Sequence, residues 1–203
     1  MIERFESKLI SSNVFVVSHK DSCIIIDAGV EPEIIEKVVG NKKVVGIFLT
    51  HGHYDHCYYV ESYKNLFGCE IYCSKEAKEY LQNPEYNYSE GQFKIDDFSG
   101  FVFLKQNGKI KLGDFEIEYQ HLGGHSKSDM CYIVDDEIFV GDVLIGRDMG
   151  RIDLYGGSKL KMVESLEYLL NKNYTVMHSG HGADNEKIAQ DKVAKLWIKF
   201  LSR

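Results

Sequence analysis

The stretch Thr50-His51-Gly52-His53-Tyr54-Asp55-His56 decides how the rest of this sequence is interpreted. It places three imidazoles and a carboxylate within six positions, and these are the ligand types that Zn²⁺ and Fe²⁺ prefer. The apolar run 44–49 before it predicts a buried strand, and aromatic and apolar residues at helical spacing follow it. The stretch is therefore expected on a strand-to-helix turn, at the strand end where α/β sheets place their sites.

The spacing within this stretch favours two neighbouring metal sites. His51 and His53 are two residues apart, so their side chains leave an extended segment on the same side and can hold one metal. Asp55 and His56 are adjacent, lie where the helix is expected to begin and point elsewhere, which suits a second metal. The simpler alternative is a polar loop in which Asp55 caps the helix.

The composition limits the partners and the compartment. The 203 residues, of which 44% are hydrophobic, predict one domain over 1–203 with a substantial core. The net charge of −7 and the lack of a basic tract argue against a nucleic-acid partner. No apolar run suits a membrane span or a signal peptide, and five cysteines without a C-x-x-C pair predict reduced thiols. We therefore expect a cytoplasmic protein with a small-molecule substrate, without nucleic-acid or membrane partners.

The order of the predicted elements favours a four-layer sandwich. Strands over 2–26 precede a helix that begins near Pro32 and ends at Gly40, and later strands over 101–140 precede helices at 158–170 and 185–201. Strands followed by helices, twice, predict an α/β (α+β) fold in which two mixed β-sheets pack face to face with helices outside, an αββα sandwich. Turns are expected at 107–108 and 113–114, and the irregular stretch 83–100 is predicted as a flap or a surface loop.

Three further segments repeat the pattern of an apolar strand followed by a polar loop with glycine. They are His121-Leu122-Gly123-Gly124-His125-Ser126, Phe139-Val140-Gly141-Asp142 and Val176-Met177-His178-Ser179-Gly180-His181-Gly182. Glycine beside a ligand lets the backbone approach closely and permits unusual φ values. One such loop would be weak support, because a histidine at a strand end is more often structural. Four loops in one chain favour a shared site.

Together these motifs resemble the metallo-β-lactamase superfamily, on its hydrolase side and close to small glyoxalase II-like (hydroxyacylglutathione hydrolase-like) proteins. The resemblance rests on H-x-H-x-D-H at 51–56, G-H-S at 124–126, G-D at 141–142 and G-H-G at 180–182. The stretches Gly150-Arg151-Ile152-Asp153 and Gly156-Gly157-Ser158 are also similar to small single-domain members. The resemblance covers essentially the whole chain, and it is less specific for the substrate than for the superfamily.

The resemblance implies two divalent metal ions, with zinc expected and iron or manganese as alternatives. The implied metal ligands are His51, His53 and His125 at the first ion, Asp55, His56 and His181 at the second, and Asp142 as the bridge. Such a site implies a bridging hydroxide that attacks the carbonyl of a thioester or related ester, with Asp55 also accepting or relaying a proton. Asp27 and Thr50 are candidates to hold the imidazoles of these ligands. The alternative is that Asp27 caps a turn and Thr50 is a polar residue at a strand end.

Alternatives to thioester hydrolysis stay open at this point. Persulfide dioxygenases share this fold and the first motif, and that activity predicts one iron held by fewer ligands. Lactone hydrolysis is the other alternative. Glyoxalase II proper carries a C-terminal helical domain that helps to hold glutathione, and this sequence has one helix after His181, so a glutathione thioester is not the expected substrate. Arg151 is expected either to brace its loop through Asp153 or to face the substrate.

Overall fold

The computed structural model describes residues 1–203, and the first half of the chain forms one six-stranded sheet with its helices. The strands of this half are β1 (Ile2–Glu6), β2 (Asn13–His19), β3 (Ser22–Ile26), β4 (Lys43–Phe48), β5 (Ile71–Ser74) and β6 (Phe101–Leu104). The helices are α1 (Pro32–Val39), α2 (Tyr54–Cys57), α3 (Val60–Phe67) and α4 (Ala77–Gln82). The strands lie in chain order across the sheet, with β1 to β3 antiparallel and β3 to β6 parallel.

The second half forms another six-stranded sheet, a short hairpin and two helices. The strands are β7 (Asn107–Leu112), β8 (Phe115–His121), β9 (Met130–Val134), β10 (Glu137–Gly141), β11 (Leu144–Ile145), β12 (Asp148–Met149), β13 (Val176–Ser179) and β14 (Asn185–Glu186). The helices are α5 (Lys159–Asn171) and α6 (Lys187–Leu201). The sheet order is β14-β13-β10-β9-β8-β7, in which only β10 and β13 are parallel, while β11 and β12 pair with each other.

Alternating side chains divide the interior into three apolar layers. On β2, Val14 and Val16 pack with helices α1, α3 and α4, whereas Phe15 and Val17 pack between the two sheets. This alternation follows from the twofold period of a strand, which sends successive side chains to opposite faces. A third layer lies between the second sheet and helices α5 and α6. The predicted αββα sandwich of two mixed sheets is therefore confirmed.

Two local predictions about the second half are wrong. Asn107 and Gly108 lie inside β7, where they pair with Gln120 and Tyr119, and the turn of this hairpin is at 113–114. The sequence predicts a C-terminal helix over 185–201 whose apolar side includes Ile188, Leu196 and Phe200. In the structure the helix begins at Lys187, and these three side chains are exposed. Its buried side instead contains Gln190, Ala194 and Leu201. No helix combines the length and the apolar character that a membrane crossing requires.

The fold brings the ends of several strands to one edge of the sandwich. The segment 51–56 follows β4 of the first sheet. The segments that contain His125, Asp142 and His181 follow β8, β10 and β13 of the second sheet. A bridge between Ser12 and His181 joins the start of β2 to the segment after β13. The site predicted from the sequence is therefore built from both sheets.

Candidate metal centre

All seven side chains predicted as metal ligands lie together at this edge. They form three overlapping groups in which the potential ligand atoms lie within 4.8 Å of one another, namely His51 with His53 and His125, His51 with His56 and Asp142, and Asp55 with His56 and His181. Six of the seven are buried, and His181 is partly exposed. The fold thus brings together predicted ligands that are up to 130 positions apart in the sequence, from His51 to His181.

The first predicted group consists of three imidazoles that face one another. Nε2 of His125 lies 2.9 Å from Nδ1 of His53, and the ring centroids of His51 and His125 are 5.1 Å apart. Nε2 of His51 is buried and has no hydrogen-bond partner. A neutral imidazole has only one N–H, so nitrogen atoms that converge in this way cannot all be paired by hydrogen bonds with one another. A bound cation would satisfy their lone pairs.

The second predicted group combines two imidazoles with a carboxylate. Nε2 of His56 lies 3.3 Å from Oδ2 of Asp55 and 3.4 Å from Nε2 of His181, and His181 is 3.4 Å from the same carboxylate oxygen. Asp55 and His56 belong to the short helix α2, so the backbone of one helical turn presents both side chains. The potential metal-ligand atoms of these three residues therefore lie close enough together to hold one cation.

Asp142 lies between the two groups. Its Oδ2 atom is 3.6 Å from Nε2 of His125 and 3.4 Å from Nε2 of His181, while Oδ1 is 3.5 Å from Nε2 of His56. Oδ1 is buried and accepts no hydrogen bond. A buried acceptor without a donor costs free energy unless a cation or proton compensates it. The nitrogen and carboxylate donors therefore fit divalent zinc, iron or manganese.

The outer nitrogens of four histidines are held by neighbouring groups. Nδ1 of His56 is 2.9 Å from Oδ2 of Asp27, and Nδ1 of His51 is 3.1 Å from Oγ1 of Thr50. Asp27 and Thr50 therefore contact the imidazoles of two predicted ligands, as expected. Asp27 also accepts hydrogen bonds from the backbone N–H and the hydroxyl of Thr50, at 2.7 and 2.8 Å. These contacts leave Nε2 of both histidines facing the cluster.

Two further contacts to outer nitrogens could not be predicted from residue types. Nδ1 of His125 lies 2.8 Å from the backbone oxygen of Arg151, and Nδ1 of His181 lies 3.1 Å from that of Ser11. Every residue has a backbone carbonyl, so the sequence gives no sign of which one will be used. Asp129 was also not predicted, although it accepts hydrogen bonds from the backbone N–H groups of His125 and Ser126 and fixes that loop.

Burial and charge shift the pKa values of the cluster in opposite directions. Burial, reinforced by the charge of His125, lowers the pKa of His53 to about 3. Burial also opposes protonation of His56 and His181, but neighbouring carboxylates outweigh it. Asp55, Asp142 and Asp27 raise the pKa of His56 to about 9, and the nearby carboxylates of Asp142 and Asp55 raise that of His181 to about 11.

The carboxylates of the cluster stay charged despite their burial. Burial alone would raise the pKa of Asp142, but His56, His181 and His125 hold it well below its ordinary value. The pKa of Asp55 is lowered as well, because His56 and His181 outweigh its desolvation. The metal-free cluster therefore pairs negative carboxylates with positive imidazoles, and a bound cation would take over the role of those protons.

Two glycines allow the ligand loops to approach one another. Gly141 has φ +55°, and a Cβ atom there would lie 2.6 Å from Oγ1 of Thr50. A Cβ atom at Gly180 would overlap Oδ1 of Asp142 and lie 2.8 Å from Cε1 of His56. The predicted need for glycine beside the ligands is therefore confirmed at these positions.

A cleft of about 480 Å³ opens onto the cluster. His53, Asp55, His125, Asp142 and His181 all line it. The stretch 83–100 contributes Asn87 and Tyr88 to the same cleft, and the ring centroid of Tyr88 is 5.3 Å from that of His53. The stretch therefore lies beside the site, as the flap hypothesis requires. A larger polar cavity of about 650 Å³, which Lys127 and Lys161 line, includes none of the seven predicted ligands.

Three polar residues near the predicted motifs make contacts outside the cluster. Arg151 forms a two-pronged ion pair with Asp153, at 3.0 and 2.8 Å, and also lines the cleft. Cys57 is a buried free thiol that donates a hydrogen bond to the backbone oxygen of His51. His178 is buried between Glu137 and Asp184. None of these three residues joins the cluster.

Comparison with known proteins identifies the class. The family model of the metallo-β-lactamase superfamily matches residues 8–181, and the chain belongs to this superfamily, as a hydrolase of the metallo-β-lactamase fold. The chain is 34% identical over 170 residues to hydroxyacylglutathione hydrolase GloC of Haemophilus influenzae, covering 78% of this chain and 79% of that protein. It is 28% identical over 190 residues to the probable metallo-hydrolase YqgX of Bacillus subtilis, covering 89% and 90%. The crystal structure of the BLEG-1 B3 metallo-β-lactamase superposes with a TM-score of 0.86 at 23% identity, covering 95% of this chain and 97% of that one.

Proposed function

We propose that this protein is a dinuclear metallo-hydrolase that cleaves thioesters. The observation that carries the dinuclear assignment is the position of Asp142, whose Oδ2 atom is 3.6 Å from His125 and 3.4 Å from His181. A carboxylate placed between two groups of donors is what a ligand shared by two cations requires. Zinc is the expected cation, and iron or manganese would also suit these nitrogen and oxygen donors.

The number of donors supports a catalytic rather than a structural centre. A structural zinc site is closed by four ligands, which leaves no position for water or substrate. Here seven side chains converge, and five of them line an open cleft. Seven donors shared between two cations leave positions that face the cleft. Two such cations would generate a nucleophile from water at neutral pH and would polarise the carbonyl oxygen of the substrate.

The protein side chains would position the reaction and manage its proton. Asp55 lies beside both His56 and His181 and lines the cleft, so it is placed to accept a proton from the attacking water and to pass it on. Asp27 holds His56 from behind, which keeps Nε2 of that ring directed at the cluster. Tyr88 and Asn87 cover one side of the cleft and limit the access of bulk water.

The thioester class is supported by the leaving group and by a relative. A thiol has an ordinary pKa of about 8.5, so a thiolate can depart without a proton from the protein. Outside the predicted ligands, the cleft offers one carboxyl group, Asp148, which is exposed, and no histidine. The 34% identical protein from Haemophilus influenzae is named as a hydrolase of a glutathione thioester, which supports the same bond type for this chain.

Release of thiol from a simple thioester tests the proposed reaction. We expect the metal-loaded protein to hydrolyse S-acetyl-N-acetylcysteamine, and we expect a chelator to abolish the reaction and added zinc to restore it. The variant Asp55→Asn should lower kcat, whereas Asp21→Asn, which alters an exposed turn outside the cleft, serves as the matched control. Absence of thiol release from the loaded protein, together with oxygen consumption on a persulfide, would contradict the proposal in favour of a dioxygenase.

A further inference from the structure

We infer that the thiol part of the substrate carries no net negative charge, so that the cleft selects uncharged or cationic thioesters. This inference rests on the proposed thioester hydrolysis, because it concerns the group that the same cleft holds beyond the reacting carbonyl. It is carried by the side chains that line the cleft outside the predicted metal ligands. The apolar side chains indicate the character of the substrate body, and the charged side chains indicate which charge the thiol part can carry.

The wall of the cleft beyond the ligands is mostly apolar or aromatic. The side chains of this kind are Ile10, Tyr54, Tyr88, Ile145, Met149 and Leu154. They come from four separate segments, so the apolar wall surrounds the opening rather than covering one spot. Small-molecule sites usually combine such walls with a few polar groups that fix orientation. The body of the substrate that lies against this wall should therefore be apolar.

Outside the predicted metal ligands, the one cationic side chain that lines the cleft is already paired with a carboxylate. Nε of Arg151 is 3.0 Å from Oδ1 of Asp153, and its terminal nitrogen is 2.8 Å from Oδ2 of the same carboxylate. A two-pronged contact of this kind is the strongest that an arginine makes with a carboxylate, and it uses the donors that a substrate carboxylate would need. No lysine lines the cleft. Beyond the proposed metal ions, the cleft therefore offers no free cationic side chain to an anionic part of the substrate.

The remaining charge that lines the cleft is negative and unpaired. Asp148 lies on β12 opposite Ile145, and no lysine or arginine nitrogen is within 4.0 Å of its carboxylate. Oδ1 of Asp148 accepts a hydrogen bond from the backbone N–H of Met149 at 2.8 Å. The hairpin is held from behind by Gln190, which donates to the backbone oxygen of Gly146 at 3.0 Å. Asp148 therefore brings a negative charge to the cleft from an anchored hairpin, whereas its exposed neighbour Arg147 does not line the cleft.

The balance of these charges disfavours an anionic group beyond the reacting bond. Among the side chains that line the cleft outside the predicted ligands, Arg151 is cancelled by Asp153, and Asp148 leaves one negative charge. One charge several ångströms away, at a surface that water reaches, changes binding by about three- to tenfold. The whole chain has a net charge of −7, so the surrounding field has the same sign. A thiol part with two carboxylates, such as a glutathione-like tripeptide, is a poor match.

A series of thioesters that share one acyl group tests this inference. The probes are acetylthiocholine, which is cationic, S-acetyl-N-acetylcysteamine, which is neutral, and S-acetyl-3-mercaptopropionate, which is anionic. Each kcat/KM is divided by the rate of hydroxide-catalysed hydrolysis of the same compound. We expect the anionic probe to fall about three- to tenfold below the neutral one. In Asp148→Asn, the ratio of anionic to neutral kcat/KM should rise by a similar factor, and Asp21→Asn should leave that ratio at the wild-type value.

Binding of the matching thioethers, which cannot be hydrolysed, gives a second measurement by calorimetry. The same order of affinities, cationic or neutral above anionic, is expected. An anionic probe that is preferred in kcat/KM and in affinity would overturn the inference. If no thioester is hydrolysed but the thioethers bind in the expected order, the proposed reaction fails while the charge preference stands.

Discussion

The carboxylate of Asp27 lies 2.9 Å from Nδ1 of His56, and both side chains are buried. Asp27 also has φ +63°, a left-handed conformation that is uncommon for residues other than glycine, asparagine and aspartate. The chain therefore maintains a strained backbone at a position whose side chain directs a predicted ligand. Strain that persists at such a position is typical of functional sites. Asp27 is best described as a positioning residue for the second predicted ligand group.

Replacement of Asp27 tests this positioning role. Asparagine has the same shape and tolerates the left-handed backbone, so Asp27→Asn removes the charge without adding backbone strain. We expect the affinity for the bound metal to fall about 10–100-fold, as is typical when the partner of a ligand imidazole is lost. Competition with a chromogenic chelator measures the change. An unchanged affinity in Asp27→Asn would contradict the assigned role, and Asp21→Asn serves as the control for the loss of one negative charge.

Substitution of Gly180 tests how closely the ligand loops must approach. A Cβ atom at this position would overlap Oδ1 of Asp142, so Gly180→Ala should displace that carboxylate and reduce the bound metal by about one equivalent per chain. Gly182→Ala provides the comparison, because nothing lies within 4 Å of the added atom. Its φ of +72° should cost about 1–2 kcal/mol of stability. Retention of the full metal content in Gly180→Ala would contradict this prediction.

Removal of metal should lower the thermal stability of the whole domain. A cation that binds only the folded state at a thousand times its Kd stabilises it by about 4 kcal/mol. For a chain of this length, that corresponds to a change in Tm of roughly 10 °C. Differential scanning calorimetry with and without a chelator measures the change. The Asp142→Asn variant should show a smaller chelator effect, and an equal effect would mean that Asp142 does not contribute to binding.

Asn87 should anchor the stretch 83–100 beside the site. Its Nδ2 atom donates to the backbone oxygens of Tyr80 at 2.9 Å and Phe93 at 3.3 Å, and its own backbone oxygen accepts from the N–H of Tyr54. Asn87 is fully buried, so Asn87→Ala leaves buried acceptors without donors and should cost about 1–3 kcal/mol. Denaturant unfolding measures the loss. Asn83→Ala, whose hydrogen bond is exposed, should cost less than half as much, and equal losses would contradict the anchoring role.

The site was predictable from the sequence because its polar residues come directly after apolar strands. Such a strand precedes each of His51, His125, Asp142 and His181, and this pattern can be recognised in the sequence without knowledge of the fold. The apolar wall of the cleft was not predictable. Ile145 and Met149 belong to a hairpin of two-residue strands, which is too short to give a periodic pattern.

The wrong local predictions share a physical origin. Asn107-Gly108 is a typical hairpin turn, but pairing with β8 over the full length of β7 outweighs that local preference. Helix α6 has apolar residues around most of its circumference, so periodicity alone could not select the side that α5 and β12 cover. In both cases tertiary contacts decide between local options that the sequence leaves open.

The metal content of the purified protein distinguishes a dinuclear hydrolase from an enzyme with one iron. The protein should be purified without added metal and without chelator, and its metals measured by elemental analysis against an amino-acid determination of concentration. We expect about two divalent ions per chain, and about one in Asp142→Asn or His181→Ala. A single iron per chain in the wild-type protein, unchanged when Asp55 or His181 is replaced, would contradict the dinuclear hydrolase.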